Sequence, residues 1–370
     1  MSKVGILSMQ RIKNYGSFLQ AYGLKKIIED LGHEVEFVDY HIELPIIENK
    51  DNNKNDKISK ALKTLEGDAS FIQKIQYIIH KKNFGRKYYN ILGLTDEYNY
   101  NPKLDTLIIG SDEVFNCIQS NKNVGYSLEL FGKNNNAKKV ITYAASFGNT
   151  TIAKLEEHNK KEEISSLLNQ IDSISARDSN TGNIIETISN KKVNYNLDPV
   201  LVYDYMKKCK RIPNIKCKEK YIIVYAYSNR ISSEESEYIK EYAKKNNLKV
   251  FAIGGAQKCA DKFIDCSPFE VLSYFKNAEM IITDTFHGSI FSIITHKNFV
   301  TLVRKSIGNN YGNEEKLTDL LNRLDLSNRI IYDIEHMNGK LDKKIDFENT
   351  DSIISIERLK AIEYLKKEIL

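Results

Sequence analysis

The sequence predicts an α/β protein of two Rossmann-like domains, and three observations carry that prediction. Short β-branched runs alternate with amphipathic helical patterns almost from end to end, the order that a parallel sheet with crossover helices imposes. The chain has 370 residues, which at roughly 100–200 residues per domain fits two folded units. The alternation breaks at 45–103 and again at 207–220. The chain therefore divides into a first domain over 1–206 with a helical insertion at 45–103, a second over 221–345, and a terminal helix over 346–370.

Lys3–Ser8 reads as the first strand and Met9–Tyr15 as a loop. A helix begins near Gly16, because Ala21, Leu24, Ile28 and Leu31 recur at spacings of three and four, and Gly32 ends it. Glu34–Tyr40 is the next strand and completes a βαβ unit. In the insertion, Asn49–Lys57 is polar and of low complexity and reads as a solvated loop. Two amphipathic helices follow, one with Ile58, Ala61, Leu62 and Leu65 on its apolar face, the other with Ile72, Ile75, Ile78 and Ile79. Strands resume at Asp105–Ile109, Lys139–Ala145, Ile171–Ala176 and Val193–Leu197, and lysine-rich Lys207–Lys220 reads as a linker. The second domain has strands at Tyr221–Ala226, Lys249–Ile253, Glu279–Thr283 and Asn298–Val303. Helices interleave at Ser233–Lys245, Phe269–Asn277, Gly288–Thr295 and Glu314–Leu324. Pro268 stands at a helix start, where its missing N–H costs nothing. Ile353–Leu370 is a last amphipathic helix. Two such units, with the terminal helix packing back on the first domain, make a GT-B-like arrangement, a likeness of architecture that does not fix function.

No apolar run approaches the roughly 18–20 residues that span a bilayer. Met1–Ser8 is too short and soon too polar for a signal peptide, so the expected location is the cytoplasm, with the inner face of the membrane as the alternative that the basic insertion raises. The five cysteines (Cys117, Cys209, Cys217, Cys259, Cys266) are odd in number with no C-x-x-C pair, which argues against a disulfide or zinc framework. None of the seven histidines stands in an H-x-H or H-E-x-x-H pattern, so no metal site is expected. Fifty-four Lys/Arg against 49 Asp/Glu give +5, and eleven against seven fall within 45–103. That excess reads as a solvated lysine face, as a site for an anionic substrate such as a lipid-linked acceptor, or as a peripheral contact of the insertion with an anionic membrane surface. Basic residues are not interleaved with aromatics in any nucleic-acid motif, and nucleic acid is excluded as a partner.

In open α/β sheets ligands collect outside the carboxyl ends of the strands. The residues there are Asn14-Tyr15-Gly16, Gly110-Ser111-Asp112, Ser146-Phe147-Gly148 and Arg177-Asp178 in the first domain. The second adds Tyr227-Ser228, Gly254-Gly255, the run from Asp284 to Ser289, and Arg304-Lys305. The segment Thr283-Asp284-Thr285-Phe286-His287-Gly288-Ser289 says most: a strand ends in Asp, and His-Gly-Ser opens a helix whose free N–H groups suit an anion. Two readings fit this turn. His287 donates a proton or holds a phosphate oxygen, with Asp284 orienting it, or Asp284 or Thr285 caps the helix and His287 packs.

These blocks carry a resemblance. Asn14 to Tyr22, Gly110 to Asn116, Tyr143 to Gly148, Ser175-Ala176-Arg177-Asp178, Leu197-Asp198-Pro199-Val200-Leu201 and Thr283 to Ser289 stand in the order found in the polysaccharide pyruvyl transferase family. The chain resembles that family over most of its length. The resemblance implies transfer of the enolpyruvyl-derived group of phosphoenolpyruvate to a nucleotide-linked or lipid-linked sugar acceptor of a capsule or exopolysaccharide precursor. The product is a ketal bridging two hydroxyls, phosphate is released, and no metal or cofactor is required. Arg177 matches the arginine of the family's S-x-R-[DE] block and His287 the histidine of its H-G block. The donor's carboxylate and phosphate suit Arg177, a further cation at Lys305 or alternatively Arg304, and the helix start at Gly288 and Ser289.

His287 is the expected acid and Asp112 or Asp178 the base, Asp178 also being placed to neutralise Arg177. Asn14, Tyr15, Gly16 and Ser17, with Ser111, are the expected acceptor contacts, although Asn-Tyr-Gly is also an ordinary turn. Two departures are visible: Phe286 stands where some members carry a basic residue, and Asn14-Tyr15-Gly16-Ser17 replaces a Gly-rich turn with an acid. A GT-B glycosyltransferase using a nucleotide sugar and a non-catalytic glycan-binding scaffold are the competing readings.

Overall fold

The computed structural model describes residues 1–47, 68–305 and 313–370. The helix expected around Ile58–Leu65 and the loop at Asn49–Lys57 lie outside them. Twelve strands among the described residues form two six-stranded sheets in which every pairing is parallel. The first contains β1 (Lys3–Leu7), β2 (Glu34–Val38), β3 (Lys103–Asp112), β4 (Asn136–Ala145), β5 (Ile174–Ala176) and β6 (Val193–Tyr195), in the order β2-β1-β3-β4-β5-β6. The second contains β7 (Tyr221–Tyr225), β8 (Lys249–Ile253), β9 (Lys262–Phe263), β10 (Met280–Thr283), β11 (Phe299–Leu302) and β12 (Ile330–Ile331), in the order β12-β11-β10-β7-β8-β9.

The strands read as near-continuous apolar runs because helices cover both faces of a parallel sheet; all five residues of β7 and all four of β11 are buried. In the first half α1 (Tyr15–Asp30), α2 (Phe71–Leu92), α3 (Ile152–Glu157), α4 (Lys161–Gln170), α5 (Ser179–Ile188), α6 (Pro199–Val202) and α7 (Tyr205–Lys208) surround the sheet. The second half has α8 (Ser233–Lys245), α9 (Pro268–Asn277), α10 (Phe286–Ile294), α11 (Glu314–Arg323) and α12 (Met337–Leu341), and α13 (Glu348–Glu368) closes the chain. Ser232 with Glu235 and Ser267 with Glu270 make capping boxes at α8 and α9, with Pro268 at the first turn as expected. Each sheet reverses its strand order once, between β1 and β3 and between β7 and β10, and those switch points are where ligands bind in such sheets.

The halves share a core. Phe18 and Tyr22 of α1 meet the Phe269 ring of α9 at 5.9 and 5.1 Å. The α13 helix returns to the first sheet, where Tyr364 donates to the Thr142 carbonyl (2.9 Å) and Glu368 pairs with Lys139 (2.9 Å). This is the GT-B-like arrangement of two Rossmann-like sheets with a returning helix.

The insertion departs from expectation. In α2 it is Gln73, Lys74, His80, Phe84 and Leu92 that are buried, while Phe71 (66% exposed), Ile72 (69%), Ile75 (38%) and Ile79 (49%) face outward. The reason is that α2 spans both halves. Phe84 packs on Tyr15 and Phe18 of α1, while the polar side reaches the second half: His80 Nδ1 is 2.6 Å from Asp265 and Gln73 donates to the Ala260 carbonyl (2.8 Å).

Candidate active site between the two sheets

The motif blocks converge. Thr285 is the N-cap of α10 and its hydroxyl accepts from the Gly288 amide (2.9 Å), so the helix starts two residues earlier than the sequence indicated. His287 then sits in the first turn and crosses to the first half, where its Nε2 lies 3.4 Å from Oδ2 of Asp198, the residue that caps α6. The same Asp198 oxygen is 3.3 Å from Nη1 of Arg177. Arg177 lies 3.6 Å from Asp112 and its guanidinium stacks 4.3 Å above the Phe286 ring. Asp112 accepts from the Ser17 hydroxyl at 2.8 Å. Gly16 closes the ring of contacts: a Cβ there would fall 2.2 Å from His287 Nδ1, so only glycine leaves the imidazole its place.

Charge is compensated in this cluster. Burial alone would push the Asp198 carboxyl up, but His287, Arg177 and the Val200 amide outweigh it and hold it below the ordinary range. Two buried donors, Arg177 Nε and His287 Nε2, make no hydrogen bond of good geometry. Such groups are costly unless something else accepts from them.

Other expected residues have different partners. Asp284 does not orient His287; it pairs with Arg230 at 2.8 Å, and burial pushes it up against the pull of Arg230 and Arg304. Arg304 is held by Glu235 (2.9 Å) and Lys305 lies over the Tyr332 ring (5.8 Å), so neither joins the cluster. The Gly288 amide is taken by Thr285 and Ser289 bonds Thr301 (2.9 Å) in the core, which removes both from the expected phosphate contact. Asp178 caps α5 by accepting from Thr181 (2.9 Å) and also accepts from Ser146 (2.5 Å), so it does not neutralise Arg177 by direct contact. Ser111 is fully buried and donates to Gln20 (2.9 Å), which hides it from any acceptor. Asn14 caps α1, and Tyr15 is buried with its hydroxyl on the Cys266 carbonyl (2.9 Å). Among the described residues no group of His, Cys, Asp and Glu could hold a metal ion.

Sequence reasoning missed Asp198 as a site residue. Its signal was present, for it follows the sixth strand at the carboxyl end in Leu197-Asp198-Pro199.

A narrow crevice, partly open to solvent, adjoins this cluster between the switch points. Asn14, Tyr15, Tyr225, Tyr227 and Thr285 contribute to its walls, and His80 and Lys81 of α2 reach it from the insertion.

Comparison with known proteins bears on this geometry. The sequence model of the family described as polysaccharide pyruvyl transferase matches residues 14–306. A search among curated proteins finds no match. Among solved structures, the chain is similar to the Methanocaldococcus jannaschii UDP-GlcNAc 2-epimerase, at 11% identity and a TM-score of 0.47 over 96% of this chain and 99% of that one. It is also similar to the Neisseria meningitidis UDP-GlcNAc 2-epimerase, at 12% identity and a TM-score of 0.43 over 99% and 100%. The Thermobaculum terrenum O-GlcNAc transferase gives 10% identity and a TM-score of 0.41 over 99% of this chain and 64% of that one.

Proposed function

The chain belongs to the polysaccharide pyruvyl transferase family, and from that premise we propose that it moves the enolpyruvyl-derived group of phosphoenolpyruvate onto a sugar of a surface polysaccharide precursor as a ketal, with release of phosphate. The observation that carries this reading is the meeting of Arg177 and His287, from the two halves, on one Asp198 oxygen (3.3 and 3.4 Å), with the buried Arg177 Nε left without a hydrogen-bond partner. An arginine beside a histidine suits a small planar acid whose carbon must be protonated.

In the proposed sequence His287 gives a proton to the methylene carbon, which becomes a methyl group, and C2 becomes a cation stabilised by its oxygen. A sugar hydroxyl attacks C2 and its proton passes to Asp198, which hands it on to His287 Nε2, 3.4 Å away, so that His287 regains the proton it gave to carbon. A second hydroxyl then displaces phosphate, and its proton leaves with the phosphate. Arg177 holds the donor's carboxylate, and Asp198 keeps both Arg177 and His287 in place. Ser17 would act through Asp112, to which its hydroxyl donates, and Gly16 through the room it leaves the His287 ring.

The acceptor's carrier, nucleotide or lipid, belongs to the same proposal. A peripheral contact with an anionic membrane surface is supported by α2, whose exposed Phe71, Ile72, Ile75 and Ile79 share the outward side with Lys82 and Arg86, and which contains no acidic residue. Among the described residues no helix is long and apolar enough to cross a membrane.

A thermal-shift series tests the reaction class. Stabilisation by phosphoenolpyruvate and not by nucleotide sugars is the expected outcome, and the reverse would favour the glycosyltransferase. Acceptor binding with no phosphate release at any donor concentration would leave a scaffold.

A further inference from the structure

Lys81 lies on the part of α2 that faces the pocket, partly buried, and its ammonium donates to the Lys13 carbonyl. Lys13 lines the same pocket. Among the described residues neither lysine forms an ion pair. Asp265, on the α2 flank of the same region, is engaged by His80 at 2.6 Å and by Lys87 at 3.6 Å. Burial and the neighbouring charge of Lys13 lower the Lys81 ammonium to about 8. Two cations side by side repel, and burying one without a counter-ion is unfavourable unless an anion enters. The remaining walls suit an oxyanion: the Tyr227 ring, the Gly254 backbone and the cap residues Asn14 and Thr285 are uncharged.

We infer that this pocket is a phosphoryl-binding site in which Lys13 and Lys81 hold the oxygens of a phosphate or diphosphate group. The phosphoryl group has two sources within the proposed function, on which the inference rests for its ligand chemistry: the donor's phosphate, or the diphosphate joining the acceptor sugar to its carrier. The site lies outside the cluster of Arg177, Asp198 and His287, where every cation already has an acid beside it, and its two lysines come one from the loop after β1 and one from the insertion.

Calorimetry on the full chain tests this with inorganic phosphate, phosphoenolpyruvate, pyrophosphate, uridine diphosphate and farnesyl diphosphate as probes. The wild type is expected to bind at least one of them, and Lys81→Met combined with Lys13→Met to weaken that binding at least tenfold, while Lys81→Arg retains it. Tightest binding of phosphate and phosphoenolpyruvate assigns the donor as source, tightest binding of uridine diphosphate a nucleotide carrier, and of farnesyl diphosphate a lipid carrier; each supports the site. No binding of any probe at millimolar concentration, or equal binding by the double variant, overturns it. If the double variant does not fold, Lys13→Met alone, changing an exposed side chain, carries the same test with the same two outcomes. Lysine-dependent binding in a protein that forms no ketal would leave this site standing and remove the proposed reaction instead.

Discussion

The cleft holds two charged regions that differ in one respect. In the cluster of Arg177, Asp198, Asp112 and His287, each charge has an opposite neighbour within 3.6 Å. In the pocket under α2, Lys13 and Lys81 have none among the described residues. A compensated cluster is stiff and suited to placing a proton, whereas an uncompensated pair of cations is suited to drawing in an anion. On the proposed reading the protein separates handling of the proton from holding of the anion, and substitutions should separate them too.

The sharpest break is His287→Ala. Loss of a general acid should lower phosphate release in the presence of acceptor by about 10²–10⁴-fold, with little change in donor KM. A rise in KM alone would move His287 from the reaction to binding. Next is Asp198→Asn, which keeps the shape and removes the charge that Arg177 and His287 share. Denaturant unfolding should show a loss of about 3 kcal/mol, because a buried guanidinium loses one of its two acids. The Asp198 carboxyl is held below its ordinary range, so its stabilising contribution is complete above the unfolded carboxyl value near 4 and disappears as pH falls through the folded value. Acid unfolding at higher pH than in the variant would contradict this.

Gly16→Ala should displace the imidazole and lower kcat on the order of 10- to 100-fold. Alanine favours the helix, so the melting temperature should fall little, and an unchanged kcat would show that the ring has room. The smallest effect is on stability in the pocket. Lys81 is lowered to about 8 and returns to its ordinary value on unfolding. Between about 8 and 10.5 the unfolded chain therefore holds a proton that the folded one does not, and stability should rise with pH across that window. Lys81→Met should flatten that rise in pH-dependent melting.

Much of this was legible in the sequence because parallel strands announce themselves. Tyr221–Tyr225 and Phe299–Leu302 are unbroken apolar runs, and the residues after each strand pointed to Arg177, Asp112 and His287. What failed to show was contact across the halves. Asp198 follows the short strand Val193–Tyr195, and nothing in Leu-Asp-Pro alone tells a helix cap from a site residue, although its place beside Arg177 and His287 makes it central. The α2 helix reversed its expected faces, since periodicity marks where apolar residues lie and not which side meets a neighbouring unit. The start of α10 moved by two residues because Thr285 competes as a cap, and that shift took Gly288 and Ser289 out of the expected phosphate contact.

The bridging position of α2 also sets how the cleft would part. Its hold on the first half joins an aromatic contact, Phe84 on Tyr15 and Phe18, to the bonds of Tyr89 with the Arg11 carbonyl, of Lys81 with the Lys13 carbonyl and of Lys25 with the Leu92 carbonyl. Its hold on the second half is largely polar, through His80, Gln73 and the Asp68–Ser233 bond, with the Phe263 ring beside it. Water replaces polar contacts at far lower cost than it fills an aromatic seam. The helix would therefore travel with the first sheet, carrying Lys81 away from Tyr227 and Gly254, so that separation of the halves dismantles the phosphoryl pocket while Lys13 and Lys81 stay together.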